Sequence, residues 1–303
     1  MTRYPSCIMA CCVVPWSDRH EFQEDLFRDQ VRQLLAVGTK HLYVFGTASE
    51  GYAVTDRQYL EIARCFSDEM QRGGADPMVG VISLSLPTII ERIEMARDLG
   101  VRQFQISLPS WGALSDSELT QFFQETCGRF GDCTFLHYNL MRTKRLVTPQ
   151  EYGRLALEHA NLVATKNSTD SMDRILGLLT EAPQLRHFLT ETGFVYGSLV
   201  GEVGLLISLA ATNWSSAHAF FEAGRRRDAA TLVEQQQELT GILQALLSGG
   251  GKAHMDGAFD KMLWKLHDAR FPLRLLPPYV AASEEGFAAF RAALKERFPR
   301  WAP

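Results

Sequence analysis

The chain has 303 residues, of which 46% are apolar and 22% charged, with a formal net charge of −4. That is ample for a large buried core, and the charge gives no pull toward nucleic acid or an anionic membrane surface. No apolar stretch approaches the ~20 residues that span a bilayer.

Taken in order, apolar and β-branched runs recur near 7–14, 41–46, 77–82, 102–108, 133–138, 161–166, 186–191 and 203–209, with helical periodicity between them. From Gln23 to Val37, Leu26, Phe27, Val31, Leu34 and Leu35 share one face. Thr55-Asp56 opens a helix that Gly73-Gly74 ends. Pro87 stands near the start of the next, and Gly100 closes it. Ser115-Asp116-Ser117-Glu118 and Thr148-Pro149-Gln150-Glu151 are further helix starts. His137 precedes Tyr138 on its strand, so it points to the opposite face and packs under a helix.

About eight strand–helix units predict an α/β fold, a (β/α)8 TIM barrel covering 1–214. The barrel's last helix continues to about 227, and 228–303 forms a C-terminal helical extension. Residues 215–247 read as wholly helical, with Arg225-Arg226-Arg227 a solvated helix end. Ser248-Gly249-Gly250-Gly251-Lys252 reads as a flexible break, then helices follow near 257–268 and 283–297. The open dinucleotide-binding alternative lacks a Gly-rich loop after its first strand.

Cys7, Cys11, Cys12, Cys65, Cys127 and Cys133 show neither a C-x-x-C pair nor the histidine spacing of a zinc site, so they read as buried free thiols. A reducing, cytoplasmic setting is expected, with no metal and no cofactor. The partner expected is a small molecule, not nucleic acid or membrane.

Three strand ends carry chemistry. Lys166 closes the sixth run, Tyr138 the fifth, and the second leads into Gly46-Thr47-Ala48-Ser49-Glu50-Gly51. In such barrels C-terminal strand ends point into the active site. A neutral amine there adds to a ketone and, on losing water, gives an iminium that labilises the neighbouring bond. A phenol can relay protons, and backbone N–H groups with a turn hydroxyl suit a carboxylate. Each residue also has a plain reading: a solvated strand terminus for Lys166, a core phenol for Tyr138, a turn residue for Thr47, a local cap or ion pair for Glu50.

These residues resemble the dihydrodipicolinate synthase / N-acetylneuraminate lyase family of class I, Schiff-base-forming lyases, over about 6–298. Gly46-Thr47-Ala48-Ser49-Glu50 stands at the family's Gly-Thr/Ser-Thr-Gly-Glu, Tyr138-Asn139 at its Tyr-Asn and Lys166 at its Schiff-base lysine. Gly204–Asn213, with Ile207-Ser208, resembles its eighth-strand segment. The resemblance implies that Lys166 forms the imine, Tyr138 relays protons and Thr47 helps hold a keto-acid carboxylate. It implies substrate contacts from Ala48, Ser49, Ser110, Trp111, Arg142, Leu206 and Ile207, and a homo-oligomer, a dimer or tetramer.

There are departures. The second loop hydroxyl is Ala48. Trp111 stands where the lysine-biosynthesis enzymes lend a tyrosine across a subunit interface, and an indole cannot relay a proton as a phenol does. Asn167 follows the lysine where many relatives have an acid. Arg142 stands near the register of an arginine that binds the second substrate's carboxylate. The expectation is a lyase, either an aldolase or a dehydratase, acting on pyruvate or a 2-keto acid, and not a typical dihydrodipicolinate synthase. The alternatives are a small-acid-binding barrel without turnover, 4-hydroxy-tetrahydrodipicolinate synthase itself, and an isomerase with phosphate anchors.

Overall fold

A computed structural model describes residues 3–303. Eight strands, β1 (Ile8–Cys11), β2 (His41–Val44), β3 (Met78–Gly80), β4 (Gln103–Ile106), β5 (Thr134–Tyr138), β6 (Leu162–Asn167), β7 (Arg186–Leu189) and β8 (Gly204–Leu206), close into one barrel in chain order. Every neighbouring pair is parallel, β8 closing on β1. Helices α1 (Glu24–Ala36), α2 (Asp56–Arg72), α3 (Leu86–Asp98), α4 (Asp116–Phe123), α5 (Pro149–Glu158), α6 (Met172–Glu181), α7 (Glu191–Val200) and α8 (Trp214–Arg226) alternate with them. Then come α9 (Ala229–Gly250), α10 (Asp256–Lys265) and α11 (Glu284–Arg297). The fold is the expected (β/α)8 barrel with a C-terminal helical extension.

The helix starts form because their side chains satisfy free backbone N–H groups. Thr55 with Gln58, Ser115 with Glu118 and Thr148 with Glu151 make reciprocal capping boxes. Gly74 and Gly100 take positive φ (66° and 86°) just beyond α2 and α3, where a side chain would be strained.

Side-chain alternation along the strands divides the core in two. Met9, Tyr43, Met78, Leu136, Ala164, Phe188 and Leu206 pack together inside the barrel, while a larger cluster joins the strands' outer faces to the helices. His137 is on the outer face, its Nδ1 2.7 Å from the Tyr152 hydroxyl of α5. Burial pushes its imidazole down to about 3.

The strands are shorter than the apolar runs because the last residues of those runs leave the sheet to build the rim. Phe45 does so at φ 66°, and its carbonyl lies where a Cβ on Gly80 would come within 2.3 Å. Position 80 therefore admits only glycine without a backbone shift.

One expectation is overturned. Ser248–Lys252 is not a flexible break, because α9 runs on through Gly250 and Gly249 and Gly250 are buried. The glycines are there for packing. A Cβ on Gly286 of α11 would lie 1.9 Å from the Gly249 carbonyl oxygen, and one on Gly250 would lie 2.3 Å from the Phe259 ring. The chain turns only at Gly251, with φ 59°.

Candidate active site

Lys166, Tyr138 and Tyr43 reach the C-terminal end of the barrel on inward-facing strand positions. Tyr138 and Lys166 are direct partners across β5 and β6, as are Cys11 and Tyr43 across β1 and β2. Lys166 is only 4% exposed. Its Nζ donates a 2.8 Å hydrogen bond to the Tyr43 hydroxyl and lies 4.0 Å from the centre of the Tyr138 ring. The amine thus rests on one aromatic face and is held by a second phenol.

A cavity of about 410 Å³ opens beside it. Lys166, Tyr138, Thr47, Ala48, Arg142, Leu206 and Ile207 line it, so the barrel brings these residues together as the sequence places them. The structure does not bring three others there. Ser49 is fully buried and accepts the Cys11 thiol's hydrogen bond at 3.4 Å. Ser110 lines a neighbouring cavity of about 560 Å³, which shares Thr47, Leu140 and Arg142 with the first. Trp111 is 81% exposed on the loop after β4.

The cavity also has walls that strand-end reasoning missed. Cys11 and Tyr43 come from β1 and β2, and Asp256 and Asp260 from α10 in the C-terminal extension. Tyr43 could have been found by counting in steps of two along its strand. Nothing local marks the aspartates, whose position depends on how α10 docks.

That docking is specific. Gly257 of α10 lies against the loop after β2, so that a Cβ there would meet the Ala48 carbonyl oxygen at 2.7 Å. One turn on, Lys261 forms a fully buried ion pair with Glu50 at 2.6 Å. Glu50 also accepts from the Trp16 indole at 2.9 Å and the Leu276 amide at 2.6 Å. Lys261 donates in addition to the Arg274 carbonyl. The loop that carries Thr47 and the helix that carries the two aspartates are therefore one rigid unit.

Electrostatics separates the aspartates. Burial pushes the Asp256 carboxyl up, but Arg142, which donates two 3.1 Å hydrogen bonds to it, outweighs this and holds it below the usual carboxylate range. Among the described residues Asp260 has no such partner. Desolvation, with Asp256 one turn away and Lys166 pulling the other way, pushes it up to about 7. Burial also raises the Tyr43 phenol well above its ordinary value and the Cys11 thiol to about 11, so both stay protonated near neutrality.

Under this floor, Asn139 fixes the rim. Its amide donates to the Val147 carbonyl and the Asn167 side chain and accepts from the Val147 N–H, all at 3.0–3.1 Å. Among the described residues no cluster of three or more His, Cys, Asp or Glu side chains is placed to hold a metal, and no helix is long and apolar enough to cross a membrane.

The sequence profile of the Dihydrodipicolinate synthetase family matches residues 4–297. The chain belongs to this family. A 4-hydroxy-tetrahydrodipicolinate synthase from Desulforudis audaxviator is 28% identical over 62% of this chain and 61% of its own length. An uncharacterized DapA-like lyase from Thermococcus onnurineus is 22% identical over 94% of this chain and 96% of its own. Among solved structures, YagE, a prophage protein of the dihydrodipicolinic acid synthase family from E. coli K12 in complex with pyruvate, superposes with a TM-score of 0.84 at 18% identity, covering 96% of this chain and 98% of that one. The family is one of lyases and aldolases, and this chain has its fold.

Proposed function

We propose that this protein is a Schiff-base-forming lyase acting on pyruvate or another 2-keto acid. The observation that carries the reading is the Lys166 amine, withdrawn from solvent between Tyr43 and Tyr138 at the edge of a cavity large enough for a small acid. Lys166 attacks the keto carbon, and loss of water leaves an iminium that draws electrons from the adjacent bond. Tyr138, whose ring lies against Nζ and which lines the same cavity, relays protons. The Thr47 hydroxyl and the loop amides receive the carboxylate, with Ala48 supplying backbone only.

The second substrate site differs from that expected of 4-hydroxy-tetrahydrodipicolinate synthase. Arg142 is already neutralised by Asp256, and Trp111 stands exposed where the resemblance puts a phenol. We therefore favour an aldolase or dehydratase acting on a different second compound. Exposed Leu84, Trp111 and Met141, on the loops after β3, β4 and β5, give this rim an apolar surface that a second copy of the chain would cover.

The test is incubation with pyruvate and other 2-keto acids in the presence of a hydride reductant, read by mass spectrometry. A reduced adduct on Lys166 that is absent from Lys166→Ala is expected. Absence of any adduct across the panel would leave the protein a binder and overturn the reading.

A further inference from the structure

We propose that Asp260, delivered from the C-terminal extension, is a further catalytic residue: its carboxylic acid hands over the proton that lets the carbinolamine hydroxyl depart as water when Lys166 closes on a 2-keto acid. This rests on the Schiff-base reading and adds a group that the strand ends do not supply.

Asp256 and Asp260 are one turn apart on α10 and face the same cavity as Lys166. The residues around them are anchored: Gly257 against the Ala48 carbonyl, Asp256 on Arg142, and Lys261 on Glu50. Asp260 is thus held in the part of the cavity wall that α10 supplies, between fixed points.

Tyr138 lines the same cavity and serves the proton transfers that follow imine formation, so the acid for the dehydration itself is sought among the other lining groups. Dehydration needs an acid whose proton is present yet transferable near neutral pH. Tyr43 and Cys11 keep their protons too tightly, and Asp256 is held ionised by Arg142. Lys166 on β6, Cys11 on β1, Tyr43 on β2 and Asp256 on its own helix share the cavity with Asp260, and the charge of Glu191 at the start of α7 also bears on it. The two carboxylates favour its protonated form, Lys166 favours its ionised form, and desolvation tips the balance to about 7.

The step balances. The nitrogen lone pair of Lys166 forms the N–C bond as the carbonyl π bond opens onto oxygen. Asp260 moves one proton from nitrogen to that oxygen and ends unchanged. It then protonates the hydroxyl, the C–O bond breaks, and water leaves. The products are a protonated imine and an Asp260 carboxylate facing it, so the positive charge formed on nitrogen is matched by the negative charge left on Asp260.

The test is the rate of reductively trapped Lys166–pyruvate adduct, followed across about pH 5.5 to 9 in the whole chain, for wild type, Asp260→Asn and Asp260→Glu. Wild-type trapping should slow as pH rises through about 7, where Asp260 loses its proton. Asp260→Asn should trap slower by roughly 10²–10⁴ and lose that limb, while Asp260→Glu should keep the limb and recover part of the rate. An Asp260→Asn variant that traps at the wild-type rate, or that is slow yet still bends at the same pH, overturns the proposal alone. A wild type that forms no adduct with any 2-keto acid overturns the Schiff-base reading along with it.

Discussion

Gly257→Ala sets helix propensity against close packing. Alanine favours a helix by up to about 1 kcal/mol over glycine, so propensity alone predicts a more stable protein. Geometry predicts the reverse. The new Cβ would stand 2.7 Å from the Ala48 carbonyl oxygen and 3.2 Å from Leu275 Cδ2, where ordinary contact begins at 3.4 Å. The nearer atom is backbone and cannot rotate away, so α10 must retreat by about 0.7 Å. Overpacking of this kind costs about 1–3 kcal/mol. The net expectation is a loss of up to about 2 kcal/mol, a fall in melting temperature of up to roughly 3 °C. The retreat also draws Lys261 off Glu50 and Asp260 away from Lys166, so adduct trapping should slow together with the loss of stability. Thermal melting by circular dichroism and the trapping assay check both. A melting temperature at or above wild type with undiminished trapping would refute the claim that α10 is pressed onto the loop after β2.

Glu50→Gln leaves the Lys261 ammonium buried without a counter-charge and deprives one of its two N–H donors of an acceptor, at about 3–5 kcal/mol; a denaturation loss under about 1 kcal/mol would contradict this. Tyr138→Phe should still form some imine but turn over roughly 10²–10⁴ more slowly, whereas equal losses of pyruvate binding and turnover would mark the phenol as packing. Asp260→Asn should stabilise the fold while slowing trapping. The native carboxyl sits near 7 against about 3.9 unfolded, so the wild type loses stability as pH rises through that window, up to about 4 kcal/mol by neutrality. The amide variant has no such loss, and urea midpoints for the two proteins at pH 5 and pH 8 should diverge with rising pH; parallel midpoints would contradict the burial argument.

Where a signal was local, the sequence carried it. The boxes at Ser115 and Thr148 marked helix starts because the capping side chain lies three residues from the group it serves. That Lys166 and Tyr138 line the cavity was legible because each ends an apolar run at the barrel's C-terminal end. Tyr43 was passed over inside its run, although the two-residue alternation that turns it inward is the one that sends His137 out. Asp256 and Asp260 could not be read, since a helix-borne carboxylate looks solvated until the helix is docked. The glycines at 249 and 250 misled for the same reason. A glycine run signals either freedom or contact, and only the partner helix, here α11 with Gly286, distinguishes them.

The clasp between Glu50 and Lys261 makes the tail part of the cavity's wall. A chain cut after α8 would retain every strand of the ring and lose the side of the chamber formed by Asp256 and Asp260. On the Schiff-base reading proposed above, selectivity for a second reactant can then change through substitutions on a helix outside the ring, leaving the lysine and its two tyrosines as they are.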